Sequence, residues 1–511
     1  MILENKTFND TFFELSFFSY SPELFIGYSL LQLSLYSVIL VYLRYGNSYV
    51  KLPNYYLSGF FIFALAFFLM LNEEVGQAVS LLSSFNTMVS GDYLSFFSKA
   101  VICFTISVFF LSLHFNKSTL SLSNSFEYVS FIITSGLGSI LLCSSGEIIT
   151  AYLALELQSI SFYLMASSKK NSNYSVESGL KYFVVGAFSS TLFLLGSSFV
   201  YWSCGTMNFI ELHTLLSLLS CSDNNLNTLV LGFVVIFLSL LIKLAVAPFH
   251  LWSIDVYESS PNPTTFFFAV VPKLGLFVLM IRIFYFSAFS AFVPKFAGYC
   301  LGFAVFSAII GSLGGLEQRR LKSLLAYSSI SHTGYALMSF SSFSSVGVNL
   351  TLYYLVFYML SSLCFWSIFM FLKQRTTFSQ SKLNKEIGDL LMLRKSNPVL
   401  SFIIGLSFFS LAGVPPLVGF LIKFGVFFTS IKSTSYFISV LIILLSLIST
   451  FYYIRVLKVI FFENRSVGKL YYPVGSTNSI LIVIFALLLI ILFIKPSLLY
   501  FCCMKAYFGL I

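Results

Sequence analysis

Apolar runs of about twenty residues recur along this chain from one end to the other. As an α-helix, a run of that length crosses a hydrocarbon core of about 30 Å with every backbone group hydrogen-bonded inside the helix. Only 9% of the residues are charged, against about 25% in an ordinary soluble domain. We therefore predict an all-α polytopic membrane protein with no water-soluble fold.

Polar residues between these runs divide the chain into about fourteen predicted spans. They lie near 24–44, 54–72, 98–114, 127–144, 147–168, 179–203, 228–252, 264–287, 291–314, 320–340, 348–373, 399–430, 435–460 and 478–502. The longest polar stretch between them, 373–398, is too short to build a core of its own. Every function is therefore expected to reside within the membrane.

The Lys and Arg residues are distributed unevenly among the loops. The odd-numbered loops hold nineteen of them, whereas the even-numbered loops and both termini together hold six. Because basic residues favour the cytoplasmic or matrix side, we expect the odd loops on that side and both termini on the opposite side. The net charge of +10 then reflects membrane topology rather than nucleic-acid binding, since the basic residues form no amphipathic face.

Several kinds of site have no signature in the sequence. The eight cysteines lie mostly inside or beside spans, without CxxC or His-paired spacing, which argues against structural metal and haem. No P-loop, dinucleotide fingerprint or nucleophile with its base is present, so no covalent or redox chemistry is expected in this chain. The N-terminus has neither a basic nor an Arg-rich leader, so we expect no cleaved targeting segment.

Two predicted spans carry an interior proline beside a lysine. They contain LIKLAVAPFHLW at 241–252 and SLAGVPPLVGFLIKF at 410–424, and interior proline breaks a helix. These are the seventh and twelfth spans, five apart, as expected of two copied five-span units inverted relative to each other. We predict four regions: spans one to three at 1–126, a first repeat at 127–290, an inverted second repeat at 291–460 and a last span at 461–511.

Four charged residues interrupt otherwise apolar spans: Glu156, Lys243, Lys273 and Lys423. A charge at the bilayer centre costs about 2.5 to 3.5 kcal/mol, so such residues usually face a bundle interior and serve a function. Burial weakens the hold of an amine on its proton, and a carboxylate at ~7 Å opposes this by about 2 kcal/mol at an effective dielectric constant of about 20. Moving Glu156 toward or away from Lys243 would then switch the lysine between holding and releasing a proton.

Structural roles are the alternatives for these four residues. Glu156 and Lys243 could form a static ion pair that fixes helix packing. Lys273 and Lys423 could each serve only to bond a backbone carbonyl.

Two histidines are further candidates for proton relay. His250 follows the proline of the seventh span, and His332 lies in the tenth span. Each could relay protons, because histidine titrates near neutrality, or could hydrogen-bond a backbone carbonyl. Asp255 and Glu258, in the loop after the seventh span, are expected to be solvated or to cap a helix, with help in proton entry as the alternative. Lys181 is expected to extend to the interface from a helix end, with a channel entrance as the alternative.

Four blocks of sequence resemble the subunit 2 family of NADH:ubiquinone oxidoreductase, respiratory complex I. They are EIITAYLALELQSISFYLMASSKKNSNYSVESGLKYFVVGAFSS, LIKLAVAPFHLWSIDVYESSPNPTTFFFAVVPKLG, RRLKSLLAYSSISHTGY and FSLAGVPPLVGFLIKF. The resemblance reaches from about 147 to 460. The segment LALELQSISFYLMASSKK is most similar to mitochondrial members of the family from plants and protists.

The resemblance implies an antiporter-like subunit with fourteen spans, inverted five-helix repeats and broken seventh and twelfth helices. By motif position it assigns proton translocation to Glu156, Lys243, Lys273 and Lys423. Such a subunit belongs to the membrane arm and moves protons when quinone is reduced elsewhere in the complex. NADH, FMN, iron-sulfur clusters and ubiquinone are then bound by other subunits, with no cofactor in this chain.

The resemblance also implies a setting for the chain. Its partners would be other membrane-arm subunits and membrane lipids, in the mitochondrial inner membrane, with both termini on the intermembrane-space side. An independent cation/proton antiporter and a purely structural scaffold are competing functions. Purification in mild detergent separates the first two, since an antiporter would emerge as a small complex without flavin.

Overall fold

A computed structural model of the chain describes residues 23, 25–32, 34, 55–76, 82–84, 88–115, 126–169, 172–218, 225–287, 293–375, 381–383, 386–391, 393–415, 417–463, 470–471 and 474–508. Residues 25–32 are helical, in agreement with the predicted first span. Residues 1–22 and the rest of that span after residue 34 lie outside the described residues.

Helices account for most of the described structure. They are α1 (Tyr55–Gly76), α2 (Tyr93–Phe115), α3 (Phe126–Ser144), α4 (Ile148–Ala166), α5 (Asn173–Cys204), α6 (Phe209–Leu218), α7 (Asn225–Lys243), α8 (Leu251–Ser259), α9 (Asn262–Ile281), α10 (Val293–Leu316), α11 (Leu321–Phe340), α12 (Ser345–Phe371), α13 (Leu393–Ser396), α14 (Pro398–Ala412), α15 (Val418–Lys432), α16 (Tyr436–Phe461), α17 (Ser476–Ile494) and α18 (Ser497–Phe508). Within the described ranges, nine helices are long and apolar enough to cross a membrane, and four shorter ones are also apolar. The prediction of an all-helical polytopic membrane protein is confirmed.

Short elements occupy the connections. A π-helical turn, Arg282–Ser287, continues α9, and a 3-10 turn spans Ile387–Leu390. Two small antiparallel sheets are present: β1 (Leu82–Ser84) pairs with β2 (Val89–Gly91), and β3 (Lys373–Arg375) pairs with both β4 (Ser381–Leu383) and β5 (Leu470–Tyr471).

The centre of the bundle is formed by α9 and α12, which pack against each other. In the apolar segment of each of these two helices, 94% of the residues are buried, although their sequences are as apolar as those of outer helices. By contrast, only 33% of the residues in the apolar segment of α5 are buried, and this helix presents large apolar side chains on the outside. A polar group on α9 or α12 is therefore enclosed by protein rather than lipid.

Two glycines allow equivalent close contacts between helices. A Cβ on Gly138 of α3 would lie 2.8 Å from the amide nitrogen of Gln158 and 3.0 Å from the carbonyl oxygen of Ala154, both on α4. Gly311 of α10 approaches α11 in the same way. In both cases the contacted carbonyl lies 16 residues after the glycine in the sequence, and the contacted amide lies 20 residues after it. Small residues permit such close approach of membrane helices.

The predicted seventh span is broken between Lys243, where α7 ends, and Leu251, where α8 begins. Ala245 has a left-handed backbone, with φ of 56°. Its amide donates to the carbonyl of Ile242 at 3.1 Å, and the next amide donates to the carbonyl of residue 241 at 3.1 Å. This is the paired-bond ending in which glycine is the usual left-handed residue.

The predicted twelfth span is broken in the same way between α14 and α15. Gly413 has φ of 81°, and its amide donates to the carbonyl of Ser410 at 3.2 Å. The next amide, of Val414, donates to the carbonyl of Phe409 at 3.1 Å. Both breaks thus close the first half-helix with the same pair of backbone bonds.

Candidate proton-transfer site

Lys243 is the last residue of α7, and Glu156 lies midway along α4. The Nζ atom of Lys243 is buried and has no hydrogen-bond partner among the described residues, and the same holds for Oε1 of Glu156. The hydroxyl of Ser159 donates to the other carboxylate oxygen at 3.4 Å. The Glu156 charge acts on Lys243 through space, without the direct contact of the static ion pair considered as an alternative.

A cavity of about 50 Å³ lies beside Lys243. A cavity of this size has room for a few water molecules, although most of its lining surface is apolar. Lys243 and Lys273 both line it, together with the polar groups of Gln158, Ser159 and Tyr257. The lysines of the predicted seventh and eighth spans therefore border one space that water can occupy.

Lys273 lies on the central helix α9 and is almost fully buried. Its Nζ atom donates to the carbonyl of Ser329 on α11 at 3.3 Å and to the hydroxyl of Tyr358 on α12 at 3.2 Å. The Tyr358 ring centroid lies 4.5 Å from Nζ, within cation–π range. The carbonyl contact matches the structural alternative for this lysine, while the hydroxyl adds a group that can exchange a proton.

His332 lies on α11 with both ring nitrogens bound to phenols. Nδ1 is 2.5 Å from the Tyr354 hydroxyl, and Nε2 is 3.2 Å from the Tyr453 hydroxyl. The backbone-carbonyl alternative for this histidine is therefore wrong. Its ring also lies 5.3 Å from the Tyr358 ring, and the charges of both Lys273 and the twelfth-span lysine act on it.

Lys423 lies on α15 and reaches back across the second break. Its Nζ atom donates to the carbonyl of Ala412 at 2.7 Å, and it lies 5.4 Å from the Tyr335 ring centroid. A carbonyl partner is thus present, as in the structural alternative for this residue. Gly413 makes room for the side chain, since a Cβ there would be 2.8 Å from Cδ of Lys423.

His250 is not among the predicted residues that these contacts connect. Its Nδ1 atom is 3.2 Å from the carbonyl of Pro248 within the first break, which is the local bond considered as the alternative to a relay. The contacts bring together Lys243, Lys273, His332 and Lys423 in that order, through the shared cavity and the rings of Tyr358 and Tyr335. Glu156 precedes them on α4, whose residues Gln158 and Ser159 line the same cavity.

Asp255 is exposed and Glu258 partly exposed, as expected of solvated side chains, but both lie on α8 rather than in a loop and both form ion pairs. Asp255 forms an ion pair with Lys181 at 2.8 Å, and Glu258 forms one with Arg320. The sequence held no signal for either pair, because the partners lie on helices distant along the chain.

Two buried cations were not among the predicted intramembrane charges. Lys99 of α2 pairs with Glu23, and Arg282 at the end of α9 pairs with Asp92 at 2.9 Å. All four side chains are buried. Arg282 also donates to the carbonyl of Cys143 at 2.9 Å. Both cations lie at span ends, where the sequence alone suggests contact with the membrane surface.

The tyrosines around His332 were also missed. Tyr354 and Tyr358 belong to the apolar run LTLYYLVFYML, in which a tyrosine cannot be distinguished by sequence from an aromatic residue that only packs. The available signal was their spacing of four residues, which places both hydroxyls on one face of α12.

Comparison with known proteins gives concordant results. Residues 145–449 match the family described as NADH:quinone oxidoreductase/Mrp antiporter, TM. NADH-ubiquinone oxidoreductase chain 2 of Marchantia polymorpha is 32% identical over 492 residues, 95% of this chain and 97% of that protein. NADH-ubiquinone oxidoreductase chain 2 of Oenothera berteroana is 35% identical over 374 residues, 73% of this chain and 75% of that protein.

Solved structures share the fold. A chain of respiratory complex I from Thermus thermophilus, 24% identical, superposes with a TM-score of 0.74 over 92% of this chain and 98% of that chain. A chain of the Mrp complex from Dietzia, 16% identical, superposes with a TM-score of 0.77 over 96% of this chain and 97% of that chain. From the family match and the two relatives, this chain belongs to the chain 2 family of NADH:quinone oxidoreductase, as an antiporter-like membrane subunit of the proton-translocating complex I.

Proposed function

We propose that this chain translocates protons along a row formed by Glu156, Lys243, Lys273, His332 and Lys423, in response to quinone reduction elsewhere in complex I. The observation that carries the proposal is proximity: one cavity borders the first two lysines, and Tyr358 bonds the second lysine through its hydroxyl while its ring packs 5.3 Å from the histidine ring. The Tyr335 ring lies 6.1 Å from the histidine ring and 5.4 Å from Nζ of the last lysine, so one aromatic side chain contacts both.

The control of proton release is proposed to lie at Glu156 and Lys243. Neither the amine nor one carboxylate oxygen is tied to a hydrogen-bond partner among the described residues, so a small movement of α4 or of the lysine side chain changes their separation without breaking a hydrogen bond of the amine. The Coulomb energy between them varies inversely with that separation. Each translocated charge works against about 2.3 kcal/mol per 100 mV of membrane potential.

The inverted repeats are part of the proposal, with the first at 127–290 and the second at 291–460. Three features support them. The glycine contacts of α3 with α4 recur, at the same residue intervals, between α10 and α11. The last helix of each unit packs against its first helix, α9 on α3 and α16 on α10. The two breaks close with the same backbone bonds. An odd number of spans per unit inverts the second copy in the membrane.

The setting of the chain is also proposed from the resemblance and its relatives. We place it in the mitochondrial inner membrane with both termini on the intermembrane-space side, among other membrane-arm subunits and lipids. The uneven distribution of basic residues supports this orientation. NADH, FMN, iron-sulfur clusters and ubiquinone would be bound by other subunits of the complex.

Replacement of the first pair tests the proposal. In sealed vesicles containing the assembled complex, Lys243→Met or Glu156→Gln should abolish proton pumping coupled to NADH oxidation, because the row then lacks a switchable amine. Lys432→Met, at the exposed end of α15, is the matched control and should pump normally. Undiminished pumping with Lys243→Met would assign the chain a scaffolding role instead.

A further inference from the structure

A side chain from α8 reaches back across the first break to the turn that carries Lys243. The indole Nε1 of Trp252 donates to the carbonyl of Ile242 at 3.0 Å. That carbonyl also accepts the amide of Ala245 at 3.1 Å, so both of its lone pairs are used. Because Ile242 directly precedes Lys243, the bond holds the last turn of α7 in place.

The indole is itself fixed by α5. Its ring stacks on the Tyr182 ring with centroids 4.8 Å apart and planes within 9°. Beside this stack, Lys181 and Asp255 join the same two helices through their 2.8 Å ion pair. Both rings line the cavity that Lys243 borders. The short helix α8 thus forms a wall of this cavity, held to α5 by a stack and an ion pair.

The second break has the same kind of bridge with a different donor. There the amine of Lys423, on the second half-helix, donates to the carbonyl of Ala412 at the end of the first half-helix. At the first break the bridging donor is an uncharged indole. The amine of Lys243 is accordingly not used as a bridge, and it has no hydrogen-bond partner in the part of the chain that the structure describes.

We propose that Trp252 is a positioning residue for Lys243: its N–H secures the end of α7, and this leaves the lysine amine free to exchange protons with water in the cavity. The inference rests on the proposed function, because it concerns the same lysine. It assigns to the indole N–H a task that its ring alone cannot perform.

The test compares three variants in the assembled complex. Trp252→Phe keeps a ring for stacking on Tyr182 but removes the donor, while Trp252→His retains both a ring and an N–H. Trp202→Phe makes the same substitution at a tryptophan that is 83% exposed on α5. The measurements are the amount of assembled complex, turnover and KM for ubiquinone, and proton pumping as a function of pH.

We expect Trp252→Phe to assemble normally, to lose about three- to tenfold in coupled turnover with KM unchanged, and to show a displaced pH profile of pumping. Trp252→His should recover part of the loss, and Trp202→Phe should match the parent protein. A parent-like rate and pH profile for Trp252→Phe would overturn the inference, as would a loss confined to assembly. Lys243→Met, measured in parallel, tests the proposed function separately: if it alone abolishes pumping, only the role of Trp252 fails.

Discussion

Tyr358 meets Lys273 in two ways, through its hydroxyl at 3.2 Å and through its ring at 4.5 Å. Tyr358→Phe removes the first contact and keeps the second. We expect it to lower coupled proton pumping by about three- to tenfold while the complex assembles normally, because a typical hydrogen bond contributes about 0.5 to 1.5 kcal/mol net and about 1.4 kcal/mol corresponds to tenfold. Pumping by sealed vesicles at fixed NADH oxidation measures the effect.

Tyr353, on the same helix, supplies the control for that substitution. Its hydroxyl finds no hydrogen-bond partner within the described residues. Tyr353→Phe should therefore leave both assembly and pumping unchanged. Equal losses from the two substitutions would mean that the hydroxyl of Tyr358 serves packing alone.

At this scale the sequence predicted four of the charged residues within the membrane, missed the buried cations Lys99 and Arg282, and did not predict what any of them contacts. The depth of Glu156, Lys243, Lys273 and Lys423 follows from their distance to the nearest loop. The partners of Lys273 and Lys423 are carbonyls and a phenol from other helices, such as the Ser329 carbonyl 56 residues away from Lys273. The hydropathy of the sequence does not indicate which side chains and carbonyls from distant helices will pair.

The two helix breaks differ in one residue type, and this difference can be tested at the level of the element. Gly413 and Ala245 occupy the same left-handed position in their respective breaks. Gly413→Ala should destabilise the protein by about 1 to 2 kcal/mol, because of the left-handed backbone and because its Cβ would press on the Lys423 side chain. Thermal inactivation of the purified complex measures the loss, and an unchanged midpoint would contradict it.

The reverse substitution should have the opposite effect. Ala245→Gly removes the Cβ from a left-handed residue, so we expect the thermal midpoint of the complex to rise, corresponding to about 1 kcal/mol of added stability. Pumping should persist, since the backbone bonds of the break are unchanged. A lowered midpoint would indicate that the Ala245 methyl group stabilises the break through packing.

Helix positions were predicted well where apolar runs are uninterrupted. The run 127–144 corresponds to α3 (Phe126–Ser144), and 435–460 to α16 (Tyr436–Phe461). The helix α6 falls in a stretch predicted as a loop, since its ten residues are too few to span a membrane. The last predicted span is two helices, α17 and α18, because Pro496 interrupts the run.

On the scale of the whole molecule, Arg282 ties the N-terminal helices to the centre of the bundle. It ends α9, and it contacts Asp92 before α2 and the last turn of α3 at Cys143. Arg282→Met should cost about 3 to 5 kcal/mol, because it leaves a buried carboxylate without its partner. The amount of assembled complex and its thermal midpoint are the measurements.

A double substitution tests whether the loss of stability comes from breaking the ion pair itself. Arg282→Met combined with Asp92→Leu removes both charges, so it should be less destabilising than Arg282→Met alone. Additive losses would show that the two side chains act independently. The sequence could not predict this connection, since 190 residues separate the partners.

The row at the centre of the molecule contains three amines and a single carboxylate. When every amine bears a hydrogen ion, the row holds a net charge of two, and the surrounding apolar side chains offer little to disperse it. Occupation of one base therefore makes occupation of the next more difficult. If the row carries protons as proposed, we therefore expect its bases to be protonated one after another rather than together, with the direction of transfer set by the end that releases its proton first.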